Sequence, residues 1–153
     1  MSLHLEDDAA TERVGVALAG LVGAGDVVIL DGPLGAGKTT LTRGLGAGLG
    51  VRGPVTSPTF VIARVHPSMV GGPDLVHVDA YRLGGVGDFD DLDLAADMAE
   101  SVTVVEWGRG VAEGLSADRL EVTLAHAEAG RVLTVAGVGP RWAGVDVEAA
   151  LRR

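Results

Sequence analysis

Runs of apolar residues divide this chain into a simple alternation. "DVVILDG" (26 to 32) is a continuous β-branched run, the pattern of a strand covered on both faces, which parallel sheets favour. Similar runs recur at "TFVIARV" (59 to 65), "DLVHVDAY" (74 to 81) and "SVTVVEW" (101 to 107). Helical spacing separates them. Leu41, Leu45 and Leu49 repeat every four residues and mark one face of a helix, and upstream Val14, Leu18, Leu21 and Val22 do the same, with Asp8 or Thr11 as the expected N-cap. The acidic stretch "VGDFDDLDLAADMAE" predicts a short helix or two with a solvated charged face. Near the end "RLEVTLAHA" and "RVLTVAGVG" flank a turn containing Gly130 and predict an antiparallel hairpin.

These elements predict an α/β fold, a three-layer sandwich with a mostly parallel central sheet, helices on both faces and the C-terminal hairpin, and the loop "GPLGAGKTT" (32 to 40) between a strand and a helix makes it one of the P-loop NTPase kind. At 153 residues, without an internal repeat or a dividing linker, residues 1 to 153 are expected to form one domain.

Composition narrows the function. A net charge of −9 argues against a stand-alone, non-specific nucleic-acid binder, because neutralising phosphates needs clustered Lys and Arg. The absence of cysteine removes disulfides and thiolate metal sites. The first 25 residues carry neither a basic leader nor an apolar core, and no run approaches the roughly 20 residues that span a bilayer, so a soluble cytoplasmic protein is expected. Eleven of the twelve basic residues are Arg; Lys38 is the sole lysine.

That lysine lies in "GPLGAGKTT" (32 to 40), which matches G-x-x-x-x-G-K-[ST] after a buried strand and at the opening of a helix. Gly32, Gly35 and Gly37 let the backbone curl so that its N–H groups meet phosphate oxygens at the positive end of the helix dipole. Lys38 would reach the β- and γ-phosphates, and the Thr39 hydroxyl a magnesium ion. A compact ammonium suits this role where a guanidinium fork would not. The chain has no Asn and no second Lys for a guanine-selecting Asn-Lys-x-Asp motif, which favours ATP, and no Gln to orient an attacking water.

A P-loop also needs an acid near the end of a neighbouring strand. Asp79 and Glu106 each close an apolar run, so in a parallel sheet both would stand beside the P-loop, either as ligands or as solvated caps. "TSPTF" (56 to 60) is either a turn or a loop that senses the γ-phosphate.

"GPLGAGKTT", "TSPTF", "HVDAYRL" and "VVEWG", in this order, resemble the bacterial TsaE ATPases of threonylcarbamoyladenosine formation in tRNA. The resemblance runs from about residue 8 to the hairpin near residue 138. It implies a magnesium-dependent ATPase, slow alone, that binds ATP and ADP. Its partners would be the two related proteins of the threonylcarbamoyl transferase complex, of the TsaB and TsaD type, with tRNA contacted only indirectly. Carried over, Gly35, Ala36, Gly37, Lys38, Thr39 and Thr40 would bind phosphates, and Thr39 with Glu106 would hold magnesium. Asp79 would act on the metal directly or through water, or as a catalytic carboxylate, and Thr59 would answer to the γ-phosphate. Arg131 would reach the nucleotide, with Asp8 and Thr11 near the base. Trp107 has either a packing or a partner-facing role. Pro33 and the tail "RWAGVDVEAALRR" depart from the family pattern. A small-molecule kinase and a non-hydrolysing nucleotide switch are the alternatives on the same P-loop.

Overall fold

The computed structural model describes residues 2–33, 35–53, 63–79, 98–107 and 116–152. The strands are β1 (Ser2–Leu5), β2 (Val27–Asp31), β3 (Ala63–His66), β4 (Asp74–Asp79), β5 (Ser101–Glu106), β6 (Arg119–His126) and β7 (Arg131–Val138). The helices are α1 (Asp8–Ala19), α2 (Lys38–Leu49) and α3 (Val147–Leu151), with a 3-10 turn at Pro140–Trp142. All seven strands join one sheet in the order β1-β7-β6-β2-β5-β4-β3. Its centre, β6-β2-β5-β4, is parallel; β3 pairs antiparallel with β4, β7 with β6, and β1 with β7.

The apolar run of β2 is explained by its place. With β5 on one side and β6 on the other, Val27, Val28, Ile29 and Leu30 are all buried. Val28 and Leu30 point into the cluster formed with Val14, Leu18, Leu41 and Leu45 of α1 and α2. Of the segment 86 to 100, expected to supply a short helix or two, residues 86 to 97 lie outside the described residues.

Helices α1 and α2 touch backbone to backbone, which accounts for some of the chain's 24 glycines. A methyl group at Gly44 would collide with the Glu12 carbonyl, and one at Gly15 would come within 2.8 Å of the Leu45 nitrogen. Only hydrogen fits at this crossing.

Some expectations need correction. The N-cap of α1 is Asp7, not Asp8 or Thr11: its backbone is extended and its carboxylate accepts from the Ala10 N–H at 2.8 Å. Asp8 is the first helical residue, where its charge meets the positive helix end. The Thr11 hydroxyl donates back to the Asp7 carbonyl at 3.2 Å. Of the run "TFVIARV", residues 59 to 62 lie outside the described set, and β3 is an antiparallel edge strand with Arg64 and Val65 exposed rather than a strand covered on both faces. An edge strand has a neighbour on one side only.

The hairpin of β6 and β7 forms as expected, with Ala127 N–H donating to the Gly130 carbonyl at 3.2 Å. Its first strand is also the parallel neighbour of β2, so the hairpin is built into the sheet. The short β1, which the sequence pattern did not announce, buries Leu3 and Leu5 and pairs with β7. In the tail, Trp142 packs over Gly137 and Leu151 is buried. No helix among the described residues is long and apolar enough to cross a membrane.

Candidate active site

The carboxyl ends of the parallel strands meet at one edge of the sheet. Asp79 and Glu106 close β4 and β5 as a directly opposed pair, and Glu106 also lies opposite Leu30 of β2. The parallel register therefore does what strand-end reasoning requires: it carries both acids to the strand that feeds the P-loop.

The chain then turns through positive φ at Gly35 (77°) and Gly37 (106°), and Gly37 caps α2. A side chain at Gly37 would be both strained and obstructed, since the Arg131 guanidinium occupies that space. Lys38 and Thr39 follow on the first turn of α2. Together these elements enclose a cavity of about 300 Å³. The P-loop contributes Gly35, Gly37, Lys38, Thr39 and Thr40 to its lining. Asp79, Glu106, Trp107, Asp8 and Arg131 complete it.

Lys38 is buried and folded back on its own loop. Its Nζ donates to the Gly32 carbonyl and to the Pro33 carbonyl, the latter at 3.3 Å, and sits 3.8 Å from the centre of the Trp107 ring. Burial lowers the pKa of the ammonium from its usual value, while the charges of Glu106, Asp31 and Asp79 push it back up. Trp107 takes a left-handed backbone conformation (φ 61°), uncommon for a bulky residue, directly after Glu106. Its N–H donates to the Leu30 carbonyl at 2.9 Å, which pins the end of β5 to β2.

Arg131 reaches the site from the start of β7. Its Nη1 pairs with the Asp8 carboxylate at 2.9 Å and donates to the Ala36 carbonyl at 3.3 Å. The guanidinium thus lies across the P-loop, and the first residue of α1 holds it there.

Two expected residues stand apart. Thr11 is fully buried within α1 and does not line the cavity. Thr59 lies outside the described residues. Ala36 is buried beneath the loop and meets the site through its carbonyl.

The structure adds a residue that sequence reasoning left without a role. His77, two residues before Asp79 on β4, is completely buried, and its Nε2 hydrogen-bonds the Glu106 Oε2. A polar residue inside an apolar strand run was the available signal, but its partner comes from another strand.

The oxygen donors Thr39, Asp79 and Glu106 suit magnesium. Among the described residues no three His, Cys, Asp or Glu side chains gather closely enough to hold a metal by themselves. Magnesium is usually held by one or two carboxylates together with nucleotide phosphates rather than by a cage of protein ligands, so the donor set fits that ion.

Comparison with known proteins identifies the family. The family model described as "Threonylcarbamoyl adenosine biosynthesis protein TsaE" matches residues 5–133. A Streptomyces coelicolor protein named "tRNA threonylcarbamoyladenosine biosynthesis protein TsaE" is 60% identical over 141 residues, covering 88% of this chain and 95% of the relative. Proteins of the same name from Mycobacterium leprae and Bacillus subtilis are 50% and 35% identical, over 74% and 86% of this chain and 75% and 82% of their own lengths. The crystal structure of YdiB from Bacillus subtilis superposes with a TM-score of 0.75 at 28% identity, covering 100% of this chain and 94% of that one. With the family model spanning most of its length, the chain belongs to the TsaE family.

Proposed function

We propose that this chain binds ATP with magnesium and hydrolyses it as an accessory subunit in the formation of threonylcarbamoyladenosine in tRNA, in the cytoplasm. The observation that carries the reading is the convergence of Lys38, Thr39, Asp79 and Glu106 on one cavity, in a chain of the TsaE family.

In this reading the N–H groups of the loop around Gly35 and Gly37 receive the phosphates at the N-terminus of α2. Lys38 exchanges the Gly32 and Pro33 carbonyls for the β- and γ-phosphate oxygens. Thr39 and Glu106 would hold magnesium, with Asp79 beside them, directly or through water. When bound, the ion supplies positive charge that neutralises the phosphates. Asp79 is suited to orient the attacking water and accept its proton as the γ-phosphorus forms a bond to water and loses its bond to the β–γ bridging oxygen. Arg131, already over the loop, is positioned to meet the nucleotide, and Thr59 is the proposed sensor of the γ-phosphate. ADP and inorganic phosphate are the products.

Hydrolysis would reset or release a complex with the two partner proteins of the transferase, of the TsaB and TsaD type, one of which carries the transfer site. With a net charge of −9, the chain is expected to meet tRNA through those partners. The names of the relatives described above lend no support to the kinase alternative. The test combines this protein, ATP, magnesium, the two partners and tRNA, and follows phosphate release and tRNA modification together. Both should depend on this chain; full modification in its absence would overturn the reading.

A further inference from the structure

A fully buried histidine in an apolar sheet needs a reason. His77 is 0% exposed, and its Nδ1 has no hydrogen-bond partner among the described residues. Leaving that atom unpaired costs on the order of 1–3 kcal/mol, so an apolar residue of similar volume would serve the core better. The other ring nitrogen is fully used, on the Glu106 carboxylate. An ionised carboxylate only accepts, so Nε2 carries the proton and donates. A proton on Nδ1 would instead be buried with nothing to receive it.

The bond divides the two oxygens of Glu106. Oε2 is held from within the sheet, which leaves Oε1 for the cavity that Glu106 lines. Glu106 is the foremost carboxylate acting on Lys38, yet the two form no ion pair, and the ammonium rests on carbonyls and the Trp107 ring. A buried carboxylate without the His77 bond would regain a partner by swinging toward that ammonium, because an unpaired buried charge is costly.

We propose that His77 is a positioning residue: its Nε2–H fixes the Glu106 carboxylate, so that one oxygen faces the magnesium position and Lys38 stays available to the phosphates. The proposal rests on the reading of Glu106 as a magnesium ligand. Hydrogen-bond partners of this kind typically change metal affinity by about 10- to 100-fold.

The test measures binding of a non-hydrolysable ATP analogue by calorimetry with and without magnesium, beside thermal melting. His77→Leu should weaken magnesium-free binding, as Glu106 turns to Lys38, and should in addition lose about tenfold or more of the gain that magnesium confers. His77→Gln, which restores an N–H donor at similar reach, should recover the gain to within about threefold. Since the leucine variant leaves Glu106 unpaired and could fail to fold, the glutamine variant is decisive alone. A glutamine variant that melts normally yet loses the gain overturns the proposal, as does a folded leucine variant that keeps it. Glu106→Gln separates the two levels. If it loses the gain while His77→Leu keeps it, only the role of His77 falls; if it keeps the gain, the metal reading falls and the proposal with it.

Discussion

Lys38 Nζ lies 3.8 Å from the centre of the Trp107 ring, so the lysine expected to grip phosphate rests on the residue that follows the expected magnesium ligand. On the proposed reading the ring and the phosphates would compete for one ammonium. Adding magnesium and ATP should therefore change the emission of Trp107 as the cation leaves its face. The only other tryptophan, Trp142, is buried in the tail beneath Arg141 and supplies a constant background that Trp142→Phe removes. Lys38→Ala should abolish most of the change. An unaltered spectrum at saturating nucleotide would mean that Lys38 keeps its present place when ATP binds.

Replacing Lys38 separates chemistry from folding. Burial disfavours its charged form, so Lys38→Ala should melt at or slightly above the parent temperature. Phosphate release should fall by about 100-fold or more, as expected when a preorganised charge is lost from a phosphoryl-transfer site. Lys38→Arg should fail similarly, since a planar fork cannot occupy the space of a compact ammonium. Either variant with normal turnover would remove Lys38 from the mechanism.

Gly44→Ala sets helix propensity against fit. Propensity alone would favour alanine by about 1 kcal/mol. The new methyl would meet the Glu12 carbonyl, backbone that can yield only if α1 shifts. Net destabilisation of about 1–3 kcal/mol is expected in denaturant melts, in line with overpacking. Gly23→Ala, with nothing within 4 Å of the added carbon, should stay within about 0.5 kcal/mol of the parent.

His66 makes stability depend on pH. Burial first, then the electrostatic influence of the neighbouring His77 and of the Arg64 charge, lowers its pKa below the usual 6.5, against an opposing backbone hydrogen bond at Arg52. The unfolded chain therefore takes up the proton before the folded one does. This contribution to stability is complete above pH 6.5 and declines as pH falls from there toward the lowered value. The slope in that window is at most about 1.4 kcal/mol per pH unit. Chemical denaturation between pH 5 and 8 should show it, and His66→Phe should flatten it. An equal slope in the variant would assign the effect to other groups.

The parts of the site that were legible in the sequence are those set locally. "GPLGAGKTT" carries its own geometry, because Gly37 must take a left-handed conformation wherever such a loop opens a helix. Asp79 and Glu106 were readable because each ends an apolar run, and a parallel sheet aligns such ends. The bond between His77 and Glu106 was not readable, since it depends on the register of β4 against β5, which no short stretch encodes. Asp7 and Asp8 are chemically identical, so only the backbone could decide which one caps α1. The direction of β3 was hidden for a similar reason: an apolar run states that a strand is present but not which way its neighbour points.

The order of strands also bears on how this protein is made. β2 and the P-loop leave the ribosome early, yet β2 is completed by β5 and β6, which are synthesised much later. Arg131, which lies over the loop, follows later still. Non-local pairing of this kind has to await the distant segment. The nascent chain thus carries an unfinished pocket for most of its synthesis, and, on the proposed reading, ATP could reward folding only after Arg131 has emerged.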